Sequence, residues 1–301
     1  GQVPVLLLTN GTRLDTRRAA FLAAHAVGVR LSFDGVPQAQ AARGAWTFGH
    51  LDALLDRLRR DQPRWFARKV SVSATVTAAN VVYLADSVAY LLSKGVRAIV
   101  LAPAAGAAGR WRAGATAELA AQFARVVDIS VAHLRDTGRV PLTLFRASPA
   151  HFGPSLPMCG AAAGTSAAID VDGQVYACTP AVPTFGEGAP RLLREASRAL
   201  RLGHAGDDRI ADALPAYRES VEATGLFGPR RDLRSALGPC RACRWRRSCV
   251  VCPMTIAYAP GAHGPAHVPD NVCAFNRTAH SSRARFVRRA RQSRRLAVEE
   301  D

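Results

Sequence analysis

Apolar residues follow two rhythms through the first half of the chain. Short apolar runs at 3–9 (VPVLLLT), 29–33, 70–77 and 98–101 have the length and β-branched content of buried strands. The segments between them repeat every three to four residues. Leu51, Leu54, Leu55 and Leu58 stand at i, i+3, i+4 and i+7, and Val81, Leu84, Val88, Leu91 and Leu92 form a second stripe. Asn80 is placed to cap the second helix and Gly95 to stop it; a third helix is expected over 116–135, ending near Gly138. Strand–helix alternation predicts an α/β fold with a parallel sheet, open or closed into a barrel. In either form ligands sit at the C-terminal ends of the strands. Those ends carry polar residues: Asn10, Asp34, Thr77 and Asn80.

The pattern changes after residue 150. Alternating runs at 167–170 and 174–177 flank Val171-Asp172-Gly173, and an Asp-Gly pair so placed predicts a β-hairpin. Residues 179–239 are Arg-rich and read as mostly helical, a covering insertion. Residues 276–301 read as a basic, solvated terminal helix. The expected organisation is therefore an α/β domain over 1–150, a small α+β domain over 151–275 and a tail.

At 301 residues and 49% hydrophobic, the chain is long enough to bury a real core, which excludes a disordered segment or a disulfide-stapled miniprotein. No apolar run has the length of a membrane span, and no basic-then-apolar leader opens the chain, so a cytoplasmic setting is expected. The formal net charge is +17, and of 40 basic residues only Lys69 and Lys94 are lysine. Arginine spread over the whole chain reads as surface solvation. A nucleic-acid arm would call for aromatic interleaving that the Arg-rich tail lacks.

Cysteine carries the chemistry. All seven cysteines lie between Cys159 and Cys273, and an odd number fits a disulfide framework poorly. Two Cys-x-x-Cys pairs, Cys240/Cys243 and Cys249/Cys252, stand five residues apart, a metal-binding signature. Four thiolates there could hold one zinc, but that reading strands Cys159, Cys178 and Cys273. Iron–sulfur clusters use four thiolates per fully ligated cubane, and seven is one closed cluster plus one with an open iron.

The order Cys159–x13–Gly173–x4–Cys178, then Cys240, Cys243, Cys249, Cys252 and Cys273, resembles the SPASM domain, the auxiliary iron–sulfur region of many radical S-adenosylmethionine (SAM) enzymes. The first half resembles the same family's barrel. Thr9-Asn10-Gly11-Thr12 is similar to its third strand. Leu31-Ser32-Phe33-Asp34-Gly35 with Arg43-Gly44 is similar to its "SLDG…RG" segment, and Thr75-Val76-Thr77…Asn80 to the next strand and helix start. The resemblance spans about 3–275.

This resemblance implies a partial (β/α) barrel lacking its first strands, followed by a cysteine-rich SPASM domain. It implies two auxiliary [4Fe–4S] clusters, one on Cys240, Cys243, Cys249 and Cys273, the other on Cys159, Cys178 and Cys252 with an iron left open. It places Asn10, Ser32 and Arg43 near the SAM pocket; from the residues alone, Asn10 and Ser32 equally suit strand-end capping, Arg43 a surface cation and Asp34 a turn. The implied activity is hydrogen abstraction by a 5′-deoxyadenosyl radical from a peptide or protein substrate, with a flavodoxin or ferredoxin as electron partner. A non-catalytic binding module stapled by zinc or a single cluster is the alternative.

Three features depart from the family. The Cys-x3-Cys-x2-Cys loop that chelates SAM is absent from these residues, as is a Gly-Gly-Glu stretch. Either the sequence is a piece of a longer enzyme, which Gly1 in place of Met favours, or the protein has lost its catalytic loop. Cys249-Val-Val-Cys252 is one residue shorter than the common spacing. Thr179 follows Cys178 where sulfatase-maturing relatives carry Asp, so that activity is not expected.

Overall fold

The computed structural model describes residues 4–44, 46–105, 111, 114–146, 161, 166–182, 191–207, 233–246, 248–249, 251–258 and 266–299. The chain divides into two compact units, Gly1–Ala104 with Trp111–Ala147 and Thr278–Asp301, and Ala105–Arg110 with Ser148–Arg277.

The first unit is built on β1 (Leu6–Thr9), β2 (Gly28–Ser32), β3 (Val70–Val76) and β4 (Ile99–Pro103), all parallel and in the order β1-β2-β3-β4. Its helices are α1 (Thr16–Ala24), the single turn α2 (Pro37–Gln40), α3 (Thr47–Asp61), α4 (Pro63–Lys69), α5 (Leu84–Ser93) and α6 (Ala115–Thr137). The predicted leucine stripe of α3 is real: Leu51, Leu54, Leu55 and Leu58 are each at most 1% exposed. Each contributes about 2 kcal/mol by burial. They share a core with Val29, Leu31, Val70, Val72, Val76 and Ile99, the residues on one face of the sheet. Helices α5 and α6 end at Gly95 and Gly138, as the sequence predicts.

Three expectations for this unit change. The run at 3–9 is a strand, but it is not buried: Leu6, Leu7 and Leu8 are 40–47% exposed, because β1 lies at the sheet edge with one neighbouring strand. Asn80 does not cap the following helix. Its Oδ1 accepts from Thr77 N (2.8 Å) and its Nδ2 donates to Thr75 O (2.8 Å), so it fastens the strand end instead. The terminal helix is not wholly solvated, since Phe286 is 3% exposed and stacks on Phe145 at 4.9 Å.

The second unit opens with the predicted hairpin, β5 (Ala168–Ile169) and β6 (Gln174–Tyr176), antiparallel. Gly173 turns it at φ 82°, where an added Cβ would lie 2.4 Å from His204 Nε2. His204 belongs to β7 (Arg201–His204), which pairs with β6 and follows α7 (Arg191–Ala199). A second small hairpin joins β8 (Arg234–Ser235) to β9 (Gly238–Pro239). Within 179–239, read from sequence as mostly helical, α7 is accompanied by the short strands β7, β8 and β9, and residues 183–190 and 208–232 lie outside the described residues. Helix α8 (Pro253–Ala257) follows, and α9 (Asp270–Glu299) ends the described chain. Among the described residues no helix is long and apolar enough to cross a membrane.

Candidate functional site

Six of the seven cysteines are described, all half-buried; Cys159 lies outside the described residues. Local structure sets them in two places. Cys240 opens a 3₁₀ turn whose closing bond runs from Cys243 N to Cys240 O (3.0 Å). Cys249 closes a second turn, its N–H donating to Trp245 O at 2.7 Å. Cys273 sits in the first turn of α9. These four thiols line one cavity of about 300 Å³, walled on its apolar side by Leu233, Leu237, Val251 and Val268 and carrying Arg244, Arg246 and Arg277. Cys240, Cys249 and Cys273 pack against a small core of Leu233, Val251, Ile256, Val268 and Val272.

Cys252 turns the other way. It immediately precedes Pro253, the first residue of α8, and packs with Cys178 against a different core that includes Tyr176, Leu193, Met254 and Ala257. Tyr258, at the end of α8, donates its hydroxyl to Pro180 O (3.0 Å). Its phenol is held above the ordinary value first by burial and then by the nearby Cys178 and Cys252 thiols.

Electrostatics separates the sets in the same way. Burial pushes the Cys249 thiol up to about 11, with Cys240, Cys243 and Cys273 adding to the rise and a hydrogen bond from Asn276 opposing it. Cys240 is also raised, by burial first and then by Cys273 and Cys243. Mutual repulsion among thiolates in a half-buried cavity disappears when a cationic group binds them. Among the described residues no three or more His, Cys, Asp or Glu side chains are gathered to hold one metal ion.

In the first unit, the C-terminal strand ends carry the other residues singled out from sequence. Asn10 is exposed and its Oδ1 accepts from Thr12 N (3.1 Å) and Thr12 Oγ1 (2.8 Å), the capping role. Ser32 ends β2, half-buried. Arg43 is no loose surface cation: Nε donates to Asp34 Oδ2 (2.8 Å), Nη2 to Asp34 Oδ1 (3.0 Å) and to Thr75 Oγ1 (2.7 Å).

Asp34 is therefore more than a turn residue. Its side chain is 4% exposed and its Oδ1 also accepts from Thr75 N at 2.7 Å. Gln40 braces the same corner, accepting from Asp34 N (2.8 Å) and donating to Thr47 Oγ1 (2.9 Å). The clamp joins the ends of β2 and β3 and aims the guanidinium. Sequence reasoning missed it because its partners are 9 and 41 residues from Asp34. Asp34→Ala is expected to destabilise the chain by about 2–3 kcal/mol in urea unfolding, since it removes three charge-assisted bonds while Arg43 regains water. Arg43→Ala is expected to cost less than Asp34→Ala only if Thr75 N keeps its bond to the carboxylate.

Compared with protein-family models and with curated proteins, the sequence finds no match. Solved structures are similar across nearly its whole length. Anaerobic sulfatase-maturating enzyme anSMEcpe with bound AdoMet superposes at TM-score 0.63 and 16% identity, covering 95% of this chain and 72% of that one. The same enzyme with AdoMet and the Cp18Cys peptide gives TM-score 0.64 at 16% identity, covering 95% and 76%. The mixed α/β architecture with its parallel sheet fits a radical SAM-like fold. By fold, the chain is similar to a radical SAM/SPASM enzyme.

Proposed function

We propose that the chain is the barrel and auxiliary-cluster part of a radical SAM/SPASM-type enzyme that modifies a peptide or protein substrate. On this reading residues 1–150 are a partial (β/α) barrel, 151–275 a SPASM domain and 276–301 an Arg-rich tail. The observation that carries it is the sorting of the thiols: Cys240, Cys243, Cys249 and Cys273 around one cavity, Cys178 and Cys252 against a separate core.

Cys240, Cys243, Cys249 and Cys273 would hold a closed [4Fe–4S] cluster. A cavity of about 300 Å³ lined by all four of these cysteines leaves room for a cubane, which this reading places there. Cys178 and Cys252, with Cys159, would hold the second. Arg244, Arg246 and Arg277 add positive charge beside thiolate ligands, and the apolar wall limits water. Asn10, Ser32 and Arg43 would face SAM at the strand ends, with the Asp34 clamp fixing the Arg43 guanidinium before the ligand arrives. When bound, SAM supplies hydrogen-atom abstraction and the clusters supply an electron acceptor or a substrate anchor. The Cys-x3-Cys-x2-Cys loop needed to cleave SAM is not among these residues, so the catalytic step is assigned to none of them. A peptide substrate is supported by the peptide bound to anSMEcpe. The electron partner would be a flavodoxin or ferredoxin, and the setting the cytoplasm.

Anaerobic reconstitution tests the reading. Two cubanes predict brown protein with about eight irons and about eight sulfides per chain. Colourless protein with stoichiometric zinc and no sulfide would sink it in favour of a zinc-stapled module.

A further inference from the structure

Helix α9 brings more than Cys273 to the cavity that Cys240, Cys243 and Cys249 line. Residues at i, i+3 and i+4 share a helix face, so Asn276 and Arg277 stand beside Cys273. Arg277 lines the cavity, and its Nη1 donates to Leu237 O at 3.1 Å. Asn276 is half-buried, and its Nδ2 donates to Cys249 Sγ at 3.6 Å, a partner 27 residues away in the chain. Both ends of this bond are anchored by backbone. The Cys249 N–H donates to Trp245 O (2.7 Å), and Asn276 follows the first turn of α9, where the Cys273 N–H donates to Pro269 O (3.0 Å). Every residue named belongs to the second unit.

The bond matters little while Cys249 is a neutral thiol. Asparagine is among the weaker helix formers, and a thiol sulfur is a weak acceptor. A thiolate bound to iron differs in both respects that count. It carries negative charge, so an N–H bond to it is about twice as strong as a neutral one. It has no proton to give, so it selects the amide orientation in which Nδ2, and not Oδ1, faces the sulfur. Reduction of a cluster adds an electron that its sulfur ligands share. The bond is therefore stronger in the reduced form and draws the potential upward.

We infer that Asn276 is a positioning residue for the cluster assigned to Cys240, Cys243, Cys249 and Cys273: its amide donates to the Cys249 sulfur and raises the reduction potential of that cluster. This rests on the cluster reading proposed above. The amide is neutral, so its influence is short-ranged and falls on the ligand it touches. The other cluster takes Cys178 and Cys252, which pack against a separate core. Asn276 therefore sets the two auxiliary potentials apart, giving the closed cluster the greater tendency to accept an electron than it would have without the bond.

The test is a redox titration of the full chain, reconstituted anaerobically and followed by electron paramagnetic resonance, which reads a midpoint for each cluster. Asn276→Leu keeps the shape of the side chain and removes the donor; it should bind the same iron and sulfide as the native chain. One midpoint should fall, with the reduction equilibrium constant lower by about threefold or more; at about 59 mV per tenfold for one electron, that is about 28 mV. The other midpoint should stay where it was. Asn276→Gln, which keeps an amide on a longer stem, should show a smaller fall than Asn276→Leu. A loaded Asn276→Leu chain whose midpoints are both unchanged, or both shifted together, overturns the inference and leaves the cluster reading standing. Loss of iron from Asn276→Leu does the same, since it marks a structural role for the side chain. A native chain that takes up neither iron nor sulfide overturns the cluster reading itself, and the inference falls with it.

Discussion

Cys273→Ala and Cys178→Ala are each expected to lose about half of the iron of the reconstituted chain, about four of about eight atoms, and the double variant nearly all of it. The reason is spatial. Cys273 reaches the Cys240/Cys243/Cys249 cavity from α9, whereas Cys178 comes off the end of the first hairpin onto the core that carries Cys252. Neither residue belongs to the two Cys-x-x-Cys pairs. A single zinc held by Cys240, Cys243, Cys249 and Cys252 would leave both variants with full metal content. The two outcomes differ in the metal measured and in its dependence on position. Stability should follow the metal, because binding energy for a site assembled from distant segments is largely folding energy. Iron and sulfide assays on the three variants, with melting curves beside them, decide the matter. Loss of all iron from either single variant would show one shared site and contradict the separation.

The sheet and its helices were legible because each is written in local periodicity. The apolar runs gave four strands to within a few residues, and the Leu51–Leu58 stripe gave the face that α3 buries. What was not legible depends on partners far away in sequence. Asp34 before Gly35 looks like a turn until Arg43 and Thr75 arrive to bond it. Asn80 looks like a helix cap until the end of β3 is close enough to hold both ends of its amide. The exposure of Leu6, Leu7 and Leu8 follows from β1 having one strand neighbour, which composition does not encode. Among the cysteines, the spacing pointed to metal binding as an expectation but not to which thiols would share a site. Cys249 and Cys252 are three residues apart, yet Cys252 is the residue from which α8 starts, and that carries it to another core. The family resemblance supplied a split that spacing alone left open.

Gly35→Ala is expected to be among the most damaging single substitutions in the first unit, with a loss of about 3–5 kcal/mol. Two independent costs meet at this position. The backbone lies at φ 105°, which residues with a Cβ rarely adopt. An added Cβ would also fall 2.2 Å from Ser87 Cβ, 2.5 Å from its Oγ and 2.7 Å from its Cα. Ser87 is 2% exposed on α5, so relief requires the helix itself to move, not a side chain to rotate. The same contact holds a bond from Val36 N to Ser87 Oγ (3.3 Å), which the substitution would strain. Because Gly35 follows Asp34 directly, displacement there pulls the carboxylate away from Arg43 and Thr75, and the clamp at the strand ends should loosen with the fold. Adding Ser87→Gly separates the two costs. It removes the Cβ and hydroxyl from the collision but leaves the dihedral strain and the helix Cα in place, so the double variant should recover about half of the loss while the remaining strain keeps at least about 1–2 kcal/mol. Urea unfolding of the single and double variants measures both terms. A loss below about 1 kcal/mol in Gly35→Ala would mean that β2 and α5 do not approach as closely as described, and the clamp argument would lose its scaffold with them.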